Sequence, residues 1–70
     1  MPTRYYRIEE VPGARLPVFE VLWSVVDDGK FPLRAFGPAS LATCGEFVRL
    51  AQDGHSHRVA RDLLLGGATA

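Results

Sequence analysis

The chain has 70 residues, 47% of them hydrophobic, and its eight Lys and Arg residues balance eight Asp and Glu residues. A chain of this size forms one small domain of marginal stability, and zero net charge argues against strong nonspecific binding to nucleic acid, which depends on positive charge. No apolar run approaches the ~20 residues of a membrane span. The single cysteine, Cys44, excludes an internal disulfide and, with no signal-like N-terminus, favours a cytoplasmic protein.

The N-terminal segment predicts a half-buried strand. Residues 4–10, RYYRIEE, alternate, with Tyr6 and Ile8 on one face and Arg7 and Glu9 on the other. The Pro-Gly pair at residues 12–13 predicts a turn after this strand.

The segment FEVLWSVVDDGKFPLRAF, residues 19–36, predicts a β-hairpin. A two-residue loop at Asp28 and Gly29 mixes polar and apolar residues on both faces. A three-residue loop that begins at Asp27 gives one wholly apolar face, because a shift of one residue exchanges the two faces. The cross-strand pairs expected in this register are Val25 with Phe31, Trp23 with Leu33 and Val21 with Ala35, and Phe19 lies on the same face.

Two helices follow the hairpin. Pro38 suits the first turn of the main helix, or else Ser40 caps the helix a little later, and Gly54 predicts its end. Gly45, in its middle, suggests close packing against the sheet. A second, shorter helix is expected after Ser56. The apolar stripe of the main helix consists of Leu41, Cys44, Phe47, Val48, Leu50 and Ala51.

These elements predict an α+β fold in which a three-stranded antiparallel β-meander precedes a main helix, packed on one face, and a short C-terminal helix. Pro32 cannot donate a hydrogen bond to a neighbouring strand, so the third strand is expected at an edge of the sheet. Residues 1–65 are expected to form the single domain and residues 66–70 a flexible tail.

Several apolar residues are left over once this core is filled. In the predicted register Tyr5, Val18, Leu22, Val26 and Phe36 share the second face of the sheet. Large apolar patches on a monomer usually mark interaction sites. Two explanations remain open: a protein partner or second copy covers this face, or the C-terminal helix folds back over it.

The sequence therefore favours a small non-enzymatic protein–protein interaction module, such as a regulator, inhibitor or adaptor. The module is expected to use an apolar sheet face and an edge strand to bind a protein partner or to form a homodimer. Aromatic and arginine side chains carry much of the binding energy at interfaces. The expected partner-binding residues are Tyr5, Val18, Leu22, Val26, Arg34 and Phe36.

Nucleic-acid binding is the alternative function. Arg4, Tyr5 and Arg7 form an aromatic and basic strand that could stack on single-stranded bases. Arg58 and Arg61, in the second helix of the C-terminal pair, could instead contact a groove.

Catalytic, metal and cofactor sites are not expected. His55, His57 and Cys44 are of the types that bind zinc, but their spacing fits none of the usual zinc patterns. The two histidines are instead expected to lie in solvent, beside the start of the second helix. Cys44 lies on the predicted buried stripe, whereas a nucleophilic thiol needs an exposed, electropositive setting. Asp27 and Asp28 are interpreted as turn residues. No enzymatic activity is therefore predicted.

Overall fold

The computed structural model describes residues 4–66. Three strands, β1 (Tyr5–Glu10), β2 (Phe19–Ser24) and β3 (Leu33–Ala39), precede two helices, α1 (Leu41–Gln52) and α2 (His57–Leu64). The strands form one antiparallel sheet in the order β1-β2-β3. This arrangement confirms the predicted α+β meander and the edge position of β3.

The molecule has two layers, the sheet and the helices, and its Cα atoms span 35 × 32 × 15 Å. Within residues 4–66, neither helix has the length and apolar character that crossing a membrane requires. The predicted tail, residues 66–70, lies outside the described residues beyond Gly66.

β1 and β2 pair as their alternating residues predict. Tyr6 lies opposite Trp23 and Ile8 opposite Val21, and these four side chains share the face that the helices cover. Val21 is completely buried. The pairing therefore places the odd-numbered residues of β1, including Arg7, on the other face, which is called the second face below.

The hairpin between β2 and β3 keeps part of the predicted register. Trp23 lies opposite Leu33, as predicted, but residues 25–32 join the two strands in place of the expected three-residue loop. Gly29, within this connection, has a φ of 79°, in the left-handed region. The strands end earlier than predicted, however, so the expected Val25–Phe31 pair is not in the ladder. Val25 and Leu33 are both exposed rather than part of the core.

β3 departs from the predicted register after its second residue. Leu22 lies opposite Arg34, but Val21 lies opposite Phe36. The predicted pairing of Val21 with Ala35 is therefore wrong. An extra residue in one strand forms a β-bulge, and because side chains alternate, it moves the residues that follow it to the other face. A second irregularity further along β3 shifts the pairing once more.

The bulge brings Phe36 into the core. Its side chain is only 7% exposed, and its ring stacks on Phe47 of α1 with centroids 4.7 Å apart. The placement of Phe36 on the second face was therefore wrong. Burial of a large aromatic ring is the physical reason, since it stabilises the bulged register over the regular one.

α1 begins at the later of its two predicted starts, the one that Ser40 caps, and ends where Gly54 predicts. The Ser40 side chain accepts a hydrogen bond from the Thr43 amide, and the helix ends at Gln52 before Gly54. Its buried residues are Cys44, Phe47 and Ala51. The expectations for Leu41 and Gly45 of this helix are wrong.

Leu41, in the first turn of α1, is 54% exposed, so it does not belong to the buried stripe. A side chain added at Gly45 would meet no atom within 4 Å. This glycine therefore marks no close approach to the sheet, and both residues lie on parts of the helix that face away from β2 and β3.

α2 packs beside α1 on the same face of the sheet. The Ser56 side chain caps α2 by accepting a hydrogen bond from the Val59 amide, as predicted, and Ala60 is completely buried in the common core. The His57 ring contacts Trp23 and Phe47. The idea that this helix folds over the second face is therefore wrong, because its buried side is already used against α1 and the sheet.

Candidate interaction surfaces

The second face of the sheet is a mixture of apolar and charged side chains. Leu22, half-buried at its centre, lies between Arg7 of β1 and Arg34 of β3. Arg7 forms an ion pair with Glu9 at 2.8 Å, and Arg34 lies 3.9 Å from Glu20. The face therefore carries less apolar surface than the leftover residues suggested.

Other predicted partner-binding residues surround this centre. Tyr5 lies opposite Ser24 at one end of the face, and both are at least half-buried. The Val18 carbonyl accepts a hydrogen bond from the Val11 amide, and this bond continues the β1–β2 pairing at the other end of the face. Val26 lies in the loop after β2 and is 54% exposed.

A groove runs along the outer edge of β3. It has a volume of about 350 Å³ and is open to solvent along one side. It is lined by Arg34, Ala35, Phe36, Gly37, Pro38 and Ala39 of β3, and by Arg61 and Leu65 at the C-terminal end of α2. The groove brings Arg61, which the sequence assigned to a nucleic-acid surface, together with Arg34 and Phe36, which it assigned to the partner-binding set.

The two arginines reach this groove from opposite faces of the sheet. Arg34 lies on the second face, since it is opposite Leu22, whereas Arg61 projects from α2 on the helical face. None of the described residues that line the groove is acidic. The edge of β3 is therefore bordered by a positive charge on each side, and Leu65, which is 69% exposed, supplies apolar surface between them.

A cluster of rings joins α2 to the sheet. The His57 Nε2 atom lies 2.8 Å from the Tyr6 hydroxyl, and the His57 ring meets the Trp23 ring edge-on at 4.7 Å between centroids. The Arg4 guanidinium lies 5.9 Å from the Trp23 centroid. Burial, and to a smaller extent the charge of Arg4, lowers the pKa of His57.

His57 is the structural residue that the sequence analysis missed. It was expected to lie in solvent near the start of a helix, but it contacts β1, β2 and α1. The available signal was helical spacing, because His57 precedes Ala60 by three residues and Leu64 by seven, and both pack in the common core. Residues at this spacing share one face of a helix.

Cys44 is buried and faces β2 and β3. Its Sγ atom lies 3.4 Å from the Phe19 carbonyl oxygen, and burial raises the pKa of the thiol. A raised pKa favours the neutral thiol, which is a poor nucleophile and a poor metal ligand. Among residues 4–66, no three His, Cys, Asp or Glu side chains are grouped as a metal site would need.

The basic residues proposed for nucleic acid do not form one surface. Arg4 contacts Trp23 on the helical face, whereas Arg7 lies on the second face beside Glu9. Arg58 and Arg61 are both exposed on α2. The first-strand group is therefore divided between two faces, and only the α2 pair lies on one element.

Comparisons with known proteins identify no relative. No family model matches the chain, and no curated protein or solved structure matches it. Function is therefore inferred from the geometry of the described residues.

Proposed function

We propose that the protein is a small non-enzymatic interaction module that binds a protein partner through the edge of β3. The observation that supports this function is the groove beside β3, a strand that has a neighbour on one side only within the described sheet. Such an edge presents backbone N–H and C=O groups that another chain can pair with. The partner is either a different protein or a second copy of this chain.

The second face supplies the border of the proposed interface. Tyr5, Leu22 and Val18 offer partly exposed apolar surface, and Arg34 belongs to both this face and the groove. Interfaces commonly combine an apolar centre with a polar rim. Of the residues predicted from the sequence, Arg34 is therefore the one we expect to contribute most to binding.

The structural roles of buried Cys44 and half-buried His57 support the non-enzymatic part of the proposal. His57 is held by Tyr6, Trp23 and Phe47, and Cys44 faces a backbone carbonyl with a raised thiol pKa. Both groups are thus engaged in packing. A reduced, buried thiol also fits the cytoplasmic location that we propose.

The decisive experiment uses the apolar wall of the groove. Leu65 lines the groove and is 69% exposed, while Leu16 is 75% exposed in the β1–β2 loop and does not line it. Each leucine is replaced by Asn, which is neutral and leaves the core untouched. A photo-crosslinking residue at Ala35 then reports what occupies the groove, in host extract and in the pure protein.

We expect one discrete protein adduct, identified by mass spectrometry, that excess uncrosslinked wild-type protein competes away. Competition by Leu16→Asn protein should equal that by wild type, and competition by Leu65→Asn protein should be weaker. Sedimentation velocity of the pure protein distinguishes a second copy from a different partner. A groove that yields no competable adduct, or two variants that compete equally, would contradict the proposed function.

Nucleic-acid binding through α2 is the second candidate, supported by the exposure of Arg58 and Arg61 on one helix. Residues three apart lie on neighbouring positions of a helix surface. Titration of labelled single- and double-stranded DNA and RNA at low and high salt tests it. Salt-dependent binding that Arg58→Glu and Arg61→Glu both weaken would favour this candidate over the β3 edge.

A further inference from the structure

We infer that the occupant of the groove is an acidic, extended segment of a partner protein, which adds to β3 as a fourth strand. This inference rests on the proposed function and specifies the partner's chemistry. Its basis is charge complementarity: the groove has a cation on each side, no acidic residue in its described lining, and a strand edge along its floor.

Both arginines are available to a ligand. Arg34 is 3.9 Å from Glu20 at its nearest, a long ion pair, and its side chain is 60% exposed. Arg61 is exposed and forms no ion pair within the described part of the chain. Arginine is suited to binding carboxylates, because its guanidinium can donate two parallel hydrogen bonds to one carboxylate.

The positions of the arginines predict a pattern in the ligand. Side chains of an added strand alternate between the two faces of the sheet. Because Arg34 lies on the second face and Arg61 on the helical face, the ligand segment needs acidic residues at both odd and even positions. Acidic residues in adjacent positions satisfy this condition, whereas strictly alternating acidic residues all face one arginine.

The ligand segment is also short. Pro38 has no amide hydrogen, so β3 offers no donor there to an added strand. The edge available for pairing therefore runs from Leu33 to Gly37, which suits a strand of about the common length of five residues. Phe36, whose ring packs into the core, anchors the middle of this edge.

A second copy of this chain fits the groove less well than an external acidic segment. Its other edge strand, β1, has Glu9 and Glu10 at one end, but Arg7 lies within it and Arg4 directly precedes it. A copy of β1 placed along β3 would therefore bring further arginines to a groove that already contains two. Like charges across an interface oppose association.

The test uses labelled eight-residue peptides and fluorescence anisotropy. Two peptides share one composition: Thr-Glu-Glu-Val repeated twice carries glutamates of both parities, and Thr-Glu-Val-Glu repeated twice carries them on one face. A third replaces every Glu of the first with Lys. We expect the first peptide to bind about 1.5- to fivefold more tightly than the second, the effect of one additional exposed charge contact, and the Lys peptide to bind least.

Charge-reversal variants identify the site. Arg34→Glu and Arg61→Glu should each weaken binding of the first peptide about three- to tenfold, and the double variant should prefer the Lys peptide. Arg58→Glu is the matched control, because Arg58 is exposed on the same helix but does not line the groove. Circular dichroism of each variant verifies that it is folded.

The failure of this inference differs from the failure of the proposed function. If none of the peptides binds at millimolar concentration, if the two Glu peptides bind equally, or if Arg58→Glu weakens binding as much as Arg61→Glu, the acidic-strand inference is overturned. A competable crosslink at Ala35 would still support the β3-edge interface in that case. Loss of that crosslink, in contrast, would remove both.

Discussion

Two glycine-to-alanine substitutions should change the stability of the protein in opposite directions. Gly37, in the irregular part of β3, has a φ of 111°, and a Cβ atom built there lies 2.8 Å from both the Glu20 Cα and the Phe19 carbonyl oxygen. Gly45, in the middle of α1, has no atom within 4 Å of such a Cβ. The same added methyl group therefore enters a backbone clash at one site and open space at the other.

The magnitudes follow from these surroundings. At Gly37 a positive φ and a clash with immobile backbone atoms together should destabilise the fold by about 2–5 kcal/mol. Single domains of this size have a total unfolding free energy of about 4–10 kcal/mol. At Gly45 the higher helix propensity of alanine should stabilise the protein by up to about 1 kcal/mol, which raises Tm by about 4–8 °C.

Urea unfolding measures both effects, with far-UV circular dichroism and the fluorescence of the single tryptophan, Trp23, as independent probes. An unchanged slope of unfolding free energy against urea concentration would show that the substitutions change stability and not the surface exposed on unfolding. If Gly37→Ala were as stable as wild type, β3 would not approach β2 as closely as described. If Gly45→Ala were destabilising, its side of α1 would be packed after all.

Three further predictions address the core, the ring cluster and the second face. Phe36→Ala should lower the free energy of unfolding by about 3–5 kcal/mol, because it removes the ring stacked on Phe47. A decrease of less than about 1 kcal/mol in urea unfolding is typical of a surface position and would indicate the unbulged register instead. Folding lowers the pKa of His57, so the unfolded state binds a proton at this side chain more readily than the folded state does. The free energy of unfolding should therefore be highest well above the unfolded pKa of about 6.5. It should decline as the pH falls through that value towards the lower folded pKa. His57→Gln should remove that part of the pH dependence in unfolding titrations while His55→Gln retains it, and equal profiles for the two variants would refute the assignment. Leu22→Asp places a carboxylate between Arg7 and Arg34 and should leave the domain folded while weakening association with a partner, as judged by circular dichroism and sedimentation velocity; an unfolded variant would show that Leu22 belongs to the core.

The candidate site could be predicted only in part. The sequence predicted Arg34 and Phe36 as partner-binding residues and Arg61 as a nucleic-acid contact, and so placed Arg61 on a separate surface. The β3 groove unites them because α2 ends beside β3, a proximity that no local pattern encodes. The interpretation of His57 as a solvent residue failed for the same reason, since its contacts with Tyr6 and Trp23 join residues far apart in the chain.

The amino-acid sequence by itself determined the order and type of the elements and the caps of the two helices, because these depend on neighbouring residues. Alternation in β1, the glycine of the hairpin loop and the capping serines Ser40 and Ser56 act over a few residues, and each lies where it was predicted. Only the tertiary structure decided which face Phe36 occupies and where α2 packs. The bulge in β3 and the docking of α2 depend on the aromatic side chains that meet across elements, where burial of Phe36 against Phe47 outweighs the regular strand register.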